Sequence, residues 1–110
     1  MTTITTHVLD LSRGEPAAGI DVLLEHRACE AVSWQPVART ATDDDGRVRD
    51  WPGAPAAAAG TYRVTFGTAG RFEESFYPEI SITFQVTDPA QHYHVPLLLS
   101  PFGYTTYRGS

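Results

Sequence analysis

Residues 92–110 read His-Tyr-His-Val-Pro-Leu-Leu-Leu-Ser-Pro-Phe-Gly-Tyr-Thr-Thr-Tyr-Arg-Gly-Ser, and this stretch decides the fold. It predicts two strands, 93–99 and 103–107, joined by a tight turn. Polar and charged side chains continue to the last residue, whereas the ends of chains usually fray and tolerate change. We therefore expect the C-terminal residues to form part of a site.

The rest of the chain shows the same β pattern at regular spacing. Apolar residues alternate with polar ones over 20–25, and Asp-Asp-Asp-Gly at 43–46 is a strong turn signal. The loop at 52–60 is rich in alanine, and 71–75 leaves room for one helical turn at most. Further strands are predicted at 4–11, 20–25, 34–42, 47–51, 61–67 and 79–87. The sequence thus predicts an all-β protein, an antiparallel β-sandwich of eight strands in two sheets, with a single domain over 1–110.

Composition and charge exclude several classes of function. Eight basic and thirteen acidic residues give a net charge of −5, without the basic patch that nucleic-acid binding requires. The apolar runs are far shorter than the roughly 20 residues of a membrane span, and no signal peptide is visible. Cys29 is the single cysteine, which fits a reducing compartment, and its strand-like surroundings predict a buried thiol. We therefore expect a cytoplasmic protein.

The alternation of strands places several polar residues on shared faces. His7 shares a face with Leu9, His94 shares one with Pro96, and Arg47 follows a turn from which it could reach such a patch. Each residue alone is more often solvated or structural than catalytic. Histidines two apart on a strand, such as those at 92 and 94, could also chelate zinc, but no third ligand is evident nearby. His26 and His92 are best interpreted as structural or solvated.

Two motifs carry a resemblance to a known family. His-Val-Leu-Asp at 7–10, followed by Gly-Glu-Pro-Ala at 14–17, resembles the N-terminal signature of the transthyretin family. The segment 93–107 resembles its C-terminal signature. The final Tyr-Arg-Gly-Ser at 107–110 is similar to the tetrapeptide that separates the 5-hydroxyisourate hydrolases of this family from its hormone carriers. The resemblance extends over essentially the whole chain, although the segment 67–75 is shorter than the helical segment of relatives.

The resemblance implies roles for particular residues and an assembly. By position, the catalytic set of the hydrolases falls on His7, Arg47 and His94. The substrate-binding tail falls on Tyr107, Arg108, Gly109 and Ser110. The family also implies a homotetramer, a dimer of dimers, whose sites lie in the channel between the dimers with residues from more than one subunit. We expect no cofactor and no metal.

The expected activity is therefore hydrolytic opening of the six-membered ring of 5-hydroxyisourate in purine catabolism, a cyclic amide hydrolysis. Two histidines suit the activation of water at neutral pH, and the planar guanidinium of Arg47 suits the oxygens of the substrate. Which histidine is the base stays open. The alternatives are a non-catalytic carrier of small ligands in the same channel and a β-sandwich interaction domain.

Overall fold

The structure, a computed structural model that describes residues 4–110, contains nine strands in two sheets. In chain order the strands are β1 (Ile4–Asp10), β2 (Glu15–Pro16), β3 (Asp21–Arg27), β4 (Gln35–Ala41), β5 (Arg47–Val48), β6 (Gly60–Gly67), β7 (Glu79–Val86), β8 (Tyr93–Ser100) and β9 (Gly103–Thr106). The first sheet has the order β2-β1-β8-β9, with β5 also paired to β1, and the second has the order β4-β3-β6-β7. The predicted all-β architecture in two sheets is confirmed.

One pairing departs from the antiparallel pattern. Strands β1 and β8 run parallel, with Thr5 opposite His94 and His7 opposite Pro96, whereas all other strand pairs of the described chain are antiparallel. A parallel pair needs a long crossover connection. Here that crossover is the whole second sheet, which lies between β1 and β8 in the sequence.

In both sheets every second side chain points inward, and these inward side chains form the core between the sheets. In β1 the residues Ile4, Thr6, Val8 and Asp10 are buried, while the residues between them are only partly covered. The same period of two holds in β6, whose Tyr62, Val64 and Phe66 point into the core. The largest fully buried side chains include Phe66, Leu24, Leu97, Val8, Val22 and Val86. The outward face of the first sheet is therefore left free to carry polar groups.

Two local expectations are corrected by the structure. A ninth strand exists in addition to the eight that the sequence predicts, because Glu15 and Pro16 pair with Asp10 and Leu9. Cys29 is exposed rather than buried, because β3 ends at Arg27 and the thiol lies in the turn beyond it. The segment 71–75 forms turns and bends without a helical turn. No helix within residues 4–110 has the length and apolar character needed to cross a membrane.

A buried ion pair ties the segment after β6 to the end of β1. Both Nε and Nη2 of Arg71 donate to Oδ2 of Asp10, at 3.1 and 3.0 Å, and the Asp10 side chain is fully buried. Its other oxygen accepts from the main chain and hydroxyl of Ser12 and from the Arg13 amide. Burial opposes the charged form, but the hydrogen bonds from Ser12 and Arg71 outweigh it and lower the pKa of Asp10. This network is structural and lies at the end of β1 away from Thr5.

Candidate active site

Three of the residues singled out in the sequence lie on the outward face of the first sheet. The register of β1 places His7 opposite Arg47 of β5 on one side and opposite Pro96 of β8 on the other, two residues along from His94. Paired residues of neighbouring strands point to the same side of a sheet. The guanidinium of Arg47 and the imidazoles of His7 and His94 therefore lie on the same face of three adjacent strands, β5, β1 and β8.

Arg47 directly follows a tight turn whose residues are required for its conformation. The carboxylate of Asp43 accepts hydrogen bonds from the main-chain amides of Asp45 and Arg47, at 2.9 and 3.0 Å. The bond from Arg47 is the main reason that the pKa of Asp43 is lowered. Gly46 has a φ of 76°, and a Cβ there would collide with the carbonyl oxygen of Val8. The turn therefore requires glycine both for its backbone conformation and for its close approach to β1.

The hydrogen bond of His7 fixes the proton on one of its ring nitrogens. Nε2 lies 2.8 Å from the carbonyl oxygen of Asp45, in the same turn that carries Arg47. A carbonyl oxygen only accepts, so Nε2 of His7 carries the hydrogen and donates it. When His7 is neutral, its Nδ1 is the nitrogen able to accept a proton.

His94 is held partly buried at the centre of this group. Its Nδ1 lies 2.8 Å from the hydroxyl oxygen of Thr5, its neighbour across the parallel pair. Burial is the largest cause of a lowered pKa for His94, followed by the positive charge of Arg47 and by the proximity of the ionisable rings of His92 and His7. The imidazole is thereby kept neutral at physiological pH and able to accept a proton.

The end of the chain folds back onto His94. The Gly109 amide donates to the His94 carbonyl at 2.8 Å in an isolated bridge, which brings Ser110 to the edge of the site. A Cβ on Gly109 would lie closer than 3.0 Å to Cδ2 of His94 and 3.3 Å from Cγ of Pro96. Only glycine fits between this backbone and the ring. The resulting cleft of about 330 Å³ is lined by Thr5, Arg47, Arg49, His92, His94 and Ser110.

Tyr107 and Arg108 line a different cleft in a single subunit. This second cleft, of about 260 Å³, is also lined by His94 and by apolar residues of β7 and β8. The Arg108 guanidinium lies 4.5 Å from the ring centre of Tyr93 and donates to the His92 carbonyl oxygen at 3.3 Å. Tyr107 and Arg108 therefore share a cleft with His94, but they do not line the cleft that contains Arg47 and Ser110.

Four residues of the cleft were not assigned a role from the sequence: Thr5, Thr6, Arg49 and His92. Thr5 contacts both His92 and His94, while Arg49 forms an ion pair with Asp45 at 3.8 Å. The alternation of β1 could have identified Thr5, because it shares a face with His7. His92, interpreted as structural or solvated, instead faces the cleft. Within residues 4–110 no group of three histidine, cysteine, aspartate or glutamate side chains is arranged to hold a metal ion.

The arrangement combines the groups that hydrolysis of a cyclic amide requires. Neutral imidazoles accept and return a proton, while a fixed guanidinium stabilises negative charge on an oxygen. The guanidinium of Arg47 favours a small ligand rich in oxygens, and the glycine permits close approach of such a ligand to the backbone.

Comparisons with known proteins agree with this chemistry. The sequence model of the HIUase/Transthyretin family matches residues 4–109. The chain is 45% identical over 112 residues to the 5-hydroxyisourate hydrolase of Salmonella typhimurium, covering 97% of this chain and 80% of that protein. It is 42% identical over 118 residues to the 5-hydroxyisourate hydrolase of Caulobacter vibrioides, covering the full length of both.

Solved structures of two kinds share the fold. The 5-hydroxyisourate hydrolase of Klebsiella pneumoniae superposes with a TM-score of 0.81 at 34% identity, covering 97% of this chain and 98% of that one. The transthyretin of Sparus aurata superposes with a TM-score of 0.87 at 27% identity, covering 97% and 96%. Because the fold is common to both kinds of protein, it does not separate an enzyme from a carrier. The residues of the cleft must do so.

Proposed function

The chain belongs to the HIUase/Transthyretin family, and we propose that it is a hydrolase that opens the six-membered ring of 5-hydroxyisourate in urate degradation. The observation that carries the proposal is that His7, Arg47 and His94 share one outward face on three adjacent strands, where Arg47 and His94 line the cleft. A carrier of small aromatic ligands gains nothing from two imidazoles and a guanidinium arranged in this way.

In the proposed hydrolysis, Arg47 binds and polarises the substrate. The turn residues Asp43 and Gly46 hold its backbone, so that the guanidinium projects from a rigid support beside His7. Its planar fork donates to the oxygens of the ring and stabilises the negative charge that develops when the carbonyl carbon is attacked. Because the donors are in place before the reaction, little reorganisation is needed.

The histidines handle the proton. A neutral imidazole takes a proton from water, whose oxygen bonds to the ring carbonyl carbon, and the adjacent carbon–nitrogen bond then breaks. The proton passes to the departing ring nitrogen. The products are a carboxylate and a ureido group on one molecule, 2-oxo-4-hydroxy-4-carboxy-5-ureidoimidazoline. His94 suits this role because its lowered pKa keeps it unprotonated, while His7 orients the water through its free Nδ1.

The four tail residues are proposed as the substrate-binding group. Gly109 and Ser110 lie beside His94, where the backbone and the Ser110 hydroxyl reach a bound ring. Tyr107 and Arg108 do not line this cleft, so we assign their substrate contacts to the site of a neighbouring subunit. This assignment requires an assembly in which the tails approach one another.

A homotetramer, arranged as a dimer of dimers, is the assembly that we propose. Support comes from the sheet edges, because each sheet of the described residues ends in an edge strand on both sides, β2 and β9 in one and β4 and β7 in the other, and such edges favour pairing with another copy. Exposed aromatic residues lie near the β9 edge, with Tyr77 and Tyr104 in edge-on contact at 5.2 Å and Phe102 65% exposed. We further propose a single domain over 1–110 and, from the one free exposed thiol, a cytoplasmic location.

The test is to generate 5-hydroxyisourate in situ with urate oxidase and to follow its ultraviolet absorbance. The protein should accelerate the decay, and His94→Asn should remove most of the acceleration. His26→Asn changes the same residue type on the second sheet, outside the cleft, and should keep it. Decay at the spontaneous rate, together with tight binding of a small aromatic ligand, would establish the carrier instead.

A further inference from the structure

A single hydroxyl group lies between two histidine rings at the rim of the cleft. The Thr5 oxygen is 2.8 Å from Nε2 of His92 and 2.8 Å from Nδ1 of His94. The two rings are 6.2 Å apart between their centres. The contact follows from the strand geometry, because Thr5 is opposite His94 in the parallel pair and His92 lies two residues earlier on the same side.

The hydrogen count of this group permits three arrangements. The hydroxyl of Thr5 has one hydrogen to donate and two lone pairs to accept, and a neutral imidazole carries hydrogen on only one of its nitrogens. His94 donates from Nδ1 to Thr5, which donates to His92; or the chain of donors runs in the opposite direction; or both rings donate to the hydroxyl oxygen. Only the second arrangement leaves Nε2 of His94 protonated when the ring is neutral.

We propose that Thr5 accepts the Nδ1 hydrogen of His94 and donates its own to Nε2 of His92, so that Nε2 of His94 is the base. Thr5 is then a positioning residue, which fixes the tautomer of His94 without touching the substrate. The proposal rests on the proposed function and assigns the base that the sequence left open.

The geometry of the ring favours hydrogen on Nδ1 of His94. Nδ1 is the nitrogen that lies 2.8 Å from the Thr5 hydroxyl oxygen, and the Cγ–Cδ2 side of the ring lies against Gly109. Nε2 is therefore the nitrogen left for the substrate, and it can accept a proton only when Nδ1 carries the hydrogen. The main chain of Thr5 agrees with this, because a hydrogen-bond acceptor beside the ring acts to raise the pKa of His94.

The first experiment observes the tautomer directly. Long-range proton–nitrogen correlation spectra of the nitrogen-15-labelled protein should show His94 protonated at Nδ1 in the wild type and in Thr5→Ser. Thr5→Val keeps the shape and the β-branched side chain but lacks the hydroxyl, and in it the signal should move toward the Nε2-protonated form. A wild-type His94 protonated at Nε2, or a tautomer unchanged in Thr5→Val, would overturn the proposal.

The second experiment asks whether the tautomer matters for turnover. Thr5→Val should lower kcat roughly 10- to 100-fold, the range seen when a group that orients a histidine is lost, with KM within about twofold of wild type. Thr5→Ser should restore most of the rate. Thr65→Val removes a threonine hydroxyl that bonds Ser81 on the second sheet, so it is the matched control and should turn over like the wild type.

The outcomes separate this proposal from the proposed function. Full activity in Thr5→Val refutes the positioning role even if the protein is a hydrolase. If the wild type does not accelerate the decay of 5-hydroxyisourate, the proposed function fails, and the spectra alone decide the tautomer. Thr5→Ser also guards against misfolding, because it retains the hydroxyl while changing the strand residue.

Discussion

Replacing Gly109 by alanine would place a methyl group against the imidazole of His94. The added carbon would be closer than 3.0 Å to Cδ2 of the ring, 3.2 Å from its Cγ and 3.3 Å from Cγ of Pro96. Either the ring rotates and loses its bond to Thr5, or the tail moves and loses the bridge between the Gly109 amide and the His94 carbonyl. Overpacking of this kind costs about 1–3 kcal/mol.

That cost falls on the site rather than on the core, because the tail is held by a short bridge at the edge of the sheet. At about 1.36 kcal/mol for each tenfold change in rate, it corresponds to a kcat/KM lower by roughly 5- to 150-fold. The unfolding midpoint should change by no more than about 4 °C. The loss should appear in the decay of 5-hydroxyisourate generated by urate oxidase.

Gly70→Ala is the control, because the same methyl group there has nothing within 4 Å and the backbone is not in the left-handed region. It should be as active as the wild type. If Gly109→Ala matches this control in rate, the close approach of the tail to His94 has no part in turnover and the reasoning fails.

Three further predictions address the charges. Arg47→Lys should lower kcat/KM at least tenfold with an unchanged melting temperature, since the main-chain bond to Asp43 persists and only the planar fork is lost; an unchanged rate would contradict its role. Because the pKa of His94 is lowered, the rate should begin to fall on the acid side only below pH 6.5, where His94 becomes protonated and can no longer accept a proton from water. A rate that already falls above pH 6.5 would refute the role of His94 as the base. Arg71→Met should reduce the free energy of unfolding by about 3 kcal/mol at neutral pH, because it leaves the buried Asp10 carboxylate unpaired. Because the pKa of Asp10 is lowered in the folded protein, its charged carboxylate stabilises the fold above the ordinary carboxyl range, and this stabilisation disappears as the pH falls through the lowered pKa. Urea denaturation should therefore show a smaller effect of Arg71→Met at acid pH than at neutral pH. An equal loss of unfolding free energy at both pH values would contradict the prediction.

The faces of the strands could be predicted because their period is local. Alternation in β1 predicts that His7 and Leu9 share one face, and the structure follows that pattern, because Ile4, Thr6 and Val8 are buried on the other face. The parallel pairing of β1 with β8 could not be predicted in this way. Alternation says which side a residue faces, but the neighbouring strand is chosen by packing across the whole sandwich.

Cys29 and Thr5 are two positions that local sequence patterns could not place correctly. Cys29 continues a strand-like run, yet β3 ends at Arg27 because the chain must turn toward β4. Thr5 is an ordinary strand residue in the sequence. Its place between two histidines is visible only when β1 and β8 are adjacent. Residues that act through a neighbour on another strand are hidden in this way from local patterns.

The parallel pairing of β1 with β8 has a consequence for how the protein is made. Thr5 and His94 are separated by 89 residues, so the first strand emerges from the ribosome long before its partner exists. At about 5–20 residues per second, it waits for several seconds. Contacts of such separation form slowly, because the entropy of closing the intervening chain is spent before they are made. The cleft is therefore among the last parts of the molecule to assemble, and a prematurely truncated chain holds Thr5, His7 and Arg47 without the histidine that completes them.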